Sequence, residues 1–229
     1  MTWPVTDSSC YSFVVNHWVC ASYWHDRSAE LRAATTQHVV ITMVSVAVGL
    51  VVAIPLALIA RRYTKLEAGI LGFSTAVYTI PSLALFPLLV PLTGISALTV
   101  VIGLALYSLT ILVRNTLAGL RSVPDEVKES ATAMGYGPTR LLFKVELPLA
   151  MPVIMAGLRV ATVSTVALTT IGSIVAYGGL GNLLKDGVQN DFKAEIFAAS
   201  VLCVLLAVLL DAGILGAQRL LTPWTRKRG

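Results

Sequence analysis

The sequence contains three histidines and three cysteines, residues that can bind metal ions or form disulfides: His17, His25, His38, Cys10, Cys20 and Cys203. The three histidines lack the spacing of a metal site, so we predict that the chain holds no metal ion. Cys10 and Cys20 would pair if their segment faced an oxidising compartment. The sequence is equally consistent with two unpaired thiols. Cys203 lies in an apolar stretch, where we expect it only to pack.

Motifs of covalent or nucleotide chemistry are missing from the sequence. It contains no phosphate-binding loop of the Walker type, no Gly-x-Ser-x-Gly elbow and no Cys-x-x-Cys pair. We therefore predict that the chain is not an enzyme and binds no cofactor. Any energy from nucleotide hydrolysis would have to come from a partner.

Composition indicates where such a chain must reside. Of its 229 residues, 56% are hydrophobic and only 13% are charged, against about 25% charged in soluble domains. That balance excludes a soluble enzyme, a secreted domain and a nucleic-acid binder, although the formal net charge is +5. The sequence predicts a membrane protein that crosses the bilayer several times.

Uncharged stretches then place the elements. About 20 apolar residues cross the hydrocarbon core as a helix, so the uninterrupted stretch 68–113 must contain two spans, with a turn at 91–94. Continuous apolarity also argues against a membrane β-barrel. We predict an all-α fold with five membrane-spanning helices, at about 38–60, 68–90, 95–113, 158–177 and 195–221.

Basic residues orient these helices. Thirteen of the 17 lysines and arginines fall in three segments on one side: the loop 61–65, the stretch 114–159 and the tail from 219 onward. Because basic residues concentrate on the cytoplasmic side, the N-terminus should be outside and the C-terminus inside. We predict an extracytoplasmic, interfacial segment at 1–37, a transmembrane domain at 38–221 and a basic cytoplasmic tail at 222–229.

The cytoplasmic stretch 121–148 has the pattern of two short helices joined by a turn. Pro124 suits a first helical turn, with Ser122 as a candidate cap. Gly135 would supply the left-handed residue that ends the first helix, and Pro138 would begin the second. Two amphipathic helices exposed between spans would form a docking knob.

The residues of this stretch resemble a known motif. Glu129, Ser130 and Ala131, followed by Gly135 and then by Leu147 and Pro148, resemble the EAA loop of permease subunits of ATP-binding-cassette importers. Ser130 replaces an alanine of the family pattern, a small-for-small change.

Flanking segments narrow the resemblance. The segments 78–85, 144–159 and 178–181 look like those of permeases for glycine betaine, choline, carnitine and proline. A permease for methionine or another small solute remains an alternative, because such importers share this core. Outside the class, the alternative is a small membrane channel or scaffold.

The resemblance implies the fold of type I importer permeases and a set of partners in the bacterial inner membrane. A second permease subunit, either a copy or a paralogue, would complete the path. Two ATPase subunits would receive the coupling loop and carry ATP and Mg²⁺, and a binding protein outside would deliver the solute. Membrane lipid would surround the spans, and no nucleic acid would be bound.

Polar residues within the predicted spans are the remaining candidates. Pro81, Ser82 and Pro87 should interrupt the second span, and the freed carbonyls must be buried or line a cavity. We expect Tyr78, Pro81 and Ser82 either to line the translocation path or to mark a simple kink.

Asp211 and Arg159 are charged residues near the cytoplasmic ends of the predicted spans. Asp211 is the only acid inside a predicted span, and we expect it either to serve transport directly or to make an interhelical or interfacial hydrogen bond. Arg159 is expected to extend to the inner membrane surface.

Overall fold

The computed structural model describes residues 10–11 and 15–225, and within these ranges the regular structure is helical throughout. The α-helices are α1 Ala21–Asp26, α2 Ser28–Arg62, α3 Thr64–Thr79, α4 Ser82–Thr93, α5 Ala97–Arg121, α6 Asp125–Ala133, α7 Pro138–Leu141, α8 Leu147–Thr169, α9 Leu180–Gln189 and α10 Lys193–Leu221. A π-helical turn, Leu142–Glu146, joins α7 to α8, and 3₁₀ turns follow α8 and α10.

Four continuous helical stretches among the described residues have the length and apolarity of membrane spans: α2, α5, Pro138–Val175 and α10. The bent pair formed by α3 and α4 gives a fifth if it counts as one span. The predicted all-α fold is therefore confirmed. The first span is longer than predicted, because α2 has 35 residues and a length of about 52 Å. Residue 38, the predicted start of this span, falls inside an unbroken helix.

The second predicted span is broken, as its prolines indicated, but at Pro81 alone. Helix α3 ends at Thr79, and Ile80 and Pro81 both have extended backbone. Pro87 stays inside α4, contrary to expectation. The predicted turn at 91–94 was also wrong in its start, since α4 includes Pro91 and ends at Thr93, and the chain turns at Gly94, where φ is +73°.

The chain forms two compact units, and each long helix contributes to both. One unit contains residues up to Val44, Pro81–Leu104 and Thr165–Val208. Its interior includes Phe86 and Leu104 on the α4–α5 side and Leu180 on α9, all fully buried. The other contains Ser45–Ile80, Ala105–Ser164 and the residues from Leu209 onward. Small residues of α2, such as Ala53 and Ala57, pack there against leucines of α5.

The N-terminal segment is tied to the connection between α9 and α10. Cys10 and Cys20 are bonded. The buried ring of Tyr23 lies edge-on to Phe192, with centroids 5.4 Å apart, and the Asn16 side chain binds backbone atoms of Asp191 and Lys193. The position of this segment in the membrane interface stays a prediction.

The stretch after α8 is also more ordered than a loop. The predicted outer loop at 178–194 contains α9, whose one face is buried at Leu180, Leu183 and Gly187. Its charged residues, Lys185 and Asp186, lie on the exposed face. The pattern is that of an amphipathic helix, too short to span a membrane.

Candidate functional site

The helical hairpin formed by α6 and α7, which we call the coupling hairpin, begins directly after α5. Pro124 occupies the position before the first turn of α6, with extended backbone. Lys128 donates to Asp125 at 2.7 Å, and this hydrogen bond lowers the pKa of the Asp125 carboxyl. Ser122 does not cap α6 as predicted. Its hydroxyl instead donates to the Gly119 carbonyl, which closes the end of α5.

The turn of the coupling hairpin depends on Gly135. This residue has φ of +87°, in the left-handed region that side chains resist. Its N–H donates to the Thr132 carbonyl at 2.9 Å, and the Tyr136 N–H donates to the Ala131 carbonyl at 3.1 Å. These two bonds form a Schellman motif, the standard glycine-dependent end of a helix. The predicted left-handed residue is confirmed at this position.

The motif residues fall into an exposed group and a packed group. Glu129, Ser130 and Gly135 are exposed, whereas Ala131 is buried on the opposite side of α6. Leu147 and Pro148 begin α8 and are half-buried. The motif thus contains exposed residues that a partner can contact, and buried or half-buried residues that pack beneath them.

Two exposed apolar side chains of this region were not singled out in the sequence. Met134 is 71% exposed at the end of α6, and Phe143 is 59% exposed in the π-helical turn. Large apolar groups that remain uncovered near an amphipathic helix are typical of protein-binding surfaces. Their positions in the sequence, Met134 next to Gly135 and Phe143 after α7, could have indicated this exposure.

Two ion pairs hold the base of the coupling hairpin. Arg61, at the end of α2, makes two hydrogen bonds to Glu146 in the π-helical turn. Arg121, at the end of α5, binds both carboxylate oxygens of Glu67 on α3, at 2.8 and 2.6 Å. Both ends of the hairpin are therefore fixed to neighbouring helices. No local pattern in the sequence indicates these pairs, because their partners are 85 and 54 residues apart.

Tyr78 lies beside the break in the second predicted span. Its ring meets Tyr107 of α5 edge to face, with centroids 5.8 Å apart, and the side chain is 46% exposed. The Tyr107 hydroxyl donates to the Ile80 carbonyl, one of the acceptors freed at the end of α3. Tyr107 was not identified from the sequence, because only packing brings α5 to this carbonyl.

Pro81 and Ser82 start the next helix, in the other compact unit. Pro81 is exposed and its carbonyl accepts the first N–H bonds of α4, from Ala84 and Leu85. Ser82 is half-buried. Different hydrogen bonds thus satisfy the backbone on the two sides of the break at Pro81.

Arg159 and Asp211 form an ion pair between α8 and α10. The guanidinium Nε and Nη2 donate to the two carboxylate oxygens at 2.8 and 2.7 Å. The expected interhelical hydrogen bond of Asp211 is present. The extension of Arg159 to the inner membrane surface stays a prediction, and its side chain donates both of these bonds to Asp211. Both residues lie near the middle of their helices.

Comparison with known proteins identifies the family. The family model described as "Binding-protein-dependent transport system inner membrane component" matches residues 45–227. The glycine betaine/carnitine/choline transport system permease protein OpuCD of Bacillus subtilis is 37% identical over 91% of each chain. The choline transport system permease protein OpuBB of the same species is 34% identical, over 85% of this chain and 89% of its own. The osmoprotectant import permease protein OsmW of Salmonella typhimurium is also 34% identical, over 88% and 96%.

Solved structures agree on the fold. An inward-facing structure of the methionine ABC transporter MetNI matches 88% of this chain and 99% of its own, with a TM-score of 0.71. Its sequence identity of 22% supports a shared fold only. The chain belongs to the family of binding-protein-dependent inner membrane components, the permease subunits of ATP-binding-cassette importers, and is a transport subunit that crosses the inner membrane several times.

Proposed function

We propose that this permease forms the translocation path for an osmoprotectant, a compact zwitterion or quaternary ammonium such as glycine betaine, choline, carnitine or proline. The observation that carries the proposal is the identity of 34–37% with three osmoprotectant or choline permeases over at least 85% of each chain. Methionine is the weaker alternative, because the methionine transporter resembles this chain in fold alone.

The coupling hairpin is the contact with the ATPase. Glu129, Ser130 and Gly135 lie on its exposed surface, and the small Ser130 lets a partner approach the backbone of α6. The exposed Met134 and Phe143 would fill an apolar groove. Ala131, Leu147 and Pro148 support this surface from behind. The ATPase would carry ATP and Mg²⁺, and this chain would bind no cofactor of its own.

The complete importer would contain two permease subunits, two ATPase subunits and one binding protein outside the membrane. The second permease would be a copy of this chain or a paralogue, and lipid would cover the remaining surface, with no part for nucleic acid. Closure of the ATPase pair on ATP would move the coupling hairpins and turn the path outward, a rigid-body transition.

We place the N-terminus outside and the C-terminus inside. The distribution of basic residues supports this orientation, and so does the bond between Cys10 and Cys20, since disulfides persist in oxidising compartments. A cysteine at exposed Gln189 should react with an impermeant thiol reagent from outside. A cysteine at exposed Thr64 should react only after the inner face is opened. The reverse labelling would contradict the orientation.

Tyr78 is the candidate contact with the solute in the path, and Pro81 and Ser82, which follow it in the sequence, are further candidates. Its exposed ring can attract a passing quaternary ammonium through a cation–π interaction, worth about 0.5–2 kcal/mol. Tyr78→Ala should lower transport more than basal ATP hydrolysis, and Tyr78→Phe, which keeps the ring, should retain transport. Equal losses in both variants would assign the effect to the hydroxyl or to packing.

Reconstitution into liposomes tests the proposed function. The permease with its ATPase and binding protein should import members of a panel of glycine betaine, choline, carnitine and proline betaine, and only with ATP. The purified permease alone should hydrolyse no ATP. Uptake at full rate without the ATPase would indicate a channel instead. Uptake of methionine but of none of the panel would leave the family intact and contradict the substrate.

A further inference from the structure

Two ion pairs in the same compact unit differ in the exposure of their carboxylate side chains. The Glu146 side chain, paired with Arg61, is only 4% exposed. The Asp211 side chain, paired with Arg159, is 33% exposed, and the Arg159 side chain is 30% exposed. A covered carboxylate suits a structural pair. A partly open pair near the middle of membrane-spanning helices is costly against lipid and marks a functional site.

The hydrogen bonding of Arg159 leaves capacity for another acceptor. A guanidinium has five N–H donors in a planar fork. Asp211 engages the Nε–H and one Nη2–H. The other three N–H groups have no acceptor among the described residues, and one on Nη1 and one on Nη2 form the second edge of the fork. That edge matches the geometry of a carboxylate, so Arg159 can bind a second carboxylate while still paired with Asp211.

An open cavity of about 390 Å³ lies beside this pair. Its lining combines the two charges with one hydroxyl and three small apolar side chains: Ala156, Arg159, Val160, Val163, Ser164 and Asp211. The cavity therefore offers a cation, an anion and an apolar wall within one pocket.

We propose that this cavity is a transient binding site for a zwitterionic solute within the membrane. The free edge of Arg159 binds the solute carboxylate. Asp211 attracts the quaternary ammonium, whose methyl groups contact Val160 and Val163. The proposal rests on the proposed function and adds to it a selectivity: solutes that bear a carboxylate use this site fully, whereas choline, which has none, meets only Asp211.

Uptake by the reconstituted complex, saturated with loaded binding protein, tests the selectivity. Arg159→Lys keeps a positive charge beside Asp211 but lacks the planar fork. The ratio of maximal glycine betaine uptake to maximal choline uptake should fall about tenfold, which corresponds to about 1.4 kcal/mol. Arg114→Lys is the matched control, since Arg114 contacts the Thr75 hydroxyl on α3 and should leave the ratio unchanged.

An unchanged ratio in an active Arg159→Lys complex would overturn the site and leave the proposed function standing. A wild-type complex that imports none of the panel would contradict the proposed function, and the site with it. A wild-type complex that imports only choline would overturn the site alone.

A second measurement does not depend on the fold of an Arg159 variant. Ser164→Cys, in a Cys203→Ser background, should be alkylated in the permease–ATPase complex. Glycine betaine should slow that reaction, and sodium chloride of equal osmolality should not. Absence of protection would overturn the site. A disulfide between two Ser164→Cys subunits, unaffected by glycine betaine, would instead assign this face to the permease pair and also overturn it.

Discussion

The coupling hairpin and the turn that leads into α9 both depend on glycine, but for different physical reasons. An added Cβ on Gly135 would meet no atom within 4 Å, and the requirement comes from its φ of +87°. An added Cβ on Gly181 would overlap the Thr170 carbonyl, and one on Gly179 would lie 2.7 Å from the His38 backbone. The hairpin turn is therefore open and set by backbone conformation. The turn into α9 is closed, so packing adds its own requirement to the φ of +56° at Gly179.

The largest effect should come from the closed turn. Gly181→Ala forces Cβ into backbone atoms of Thr170, which cannot move aside as a side chain can. Overpacking of this kind costs about 1–3 kcal/mol and sometimes more. We expect the variant to accumulate poorly in the membrane and to unfold at lower temperature in detergent.

Gly213→Ala on α10 is the control, because nothing lies within 4 Å of its added Cβ. It should accumulate normally. Normal accumulation of Gly181→Ala as well would show that the turn is less closely packed than described.

An intermediate effect, on function alone, is expected in the open turn. Gly135→Val places a β-branched residue in the left-handed region, at a cost of about 1–2 kcal/mol. The spans do not depend on this turn, so the variant should insert normally yet lose the copurifying ATPase and solute uptake.

Gly137→Val provides the matched control two residues away. Gly137 has φ of −69° with extended backbone, precedes Pro138, and is open around its Cβ position. This is the region that a residue before proline prefers, so uptake should persist. Coupled uptake by Gly135→Val equal to wild type would remove Gly135 from the coupling role.

The smallest effect should come from Ser130→Ala, which restores the family pattern. The Ser130 hydroxyl donates only to the Glu126 carbonyl of its own helix. Alanine has the better helix propensity by about 0.5 kcal/mol. Uptake and ATPase binding should remain at wild-type level within twofold. A marked loss would show that the hydroxyl itself contacts the ATPase.

Local patterns in the sequence predicted the number of apolar stretches, the break at Pro81 and the left-handed Gly135. Each of these depends on neighbouring residues in the chain. Pro87 was misjudged because one missing N–H bond does not end a helix whose neighbours continue to pair. Helix α9 was missed because its charged residues suggested a loop.

Long-range contacts were beyond prediction. The Arg61–Glu146 pair and the Tyr107–Ile80 bond join helices whose approach depends on side-chain packing. The cavity beside Arg159 was missed for a related reason. An arginine near a predicted membrane boundary suggested a path to the surface, and only the neighbouring α10 supplies the closer Asp211.

The π-helical turn at Leu142–Glu146 joins α7, the second arm of the coupling hairpin, to α8 without a break in the helix. No flexible linker separates the coupling hairpin from α8, so a rotation of the hairpin is passed on to α8. The same turn also determines the direction in which the hairpin points around the axis of α8, because each residue of an α-helix adds a rotation of about 100°. Deleting one residue from this turn would tighten it into an ordinary helix and aim the hairpin in a different direction while leaving every docking residue in place.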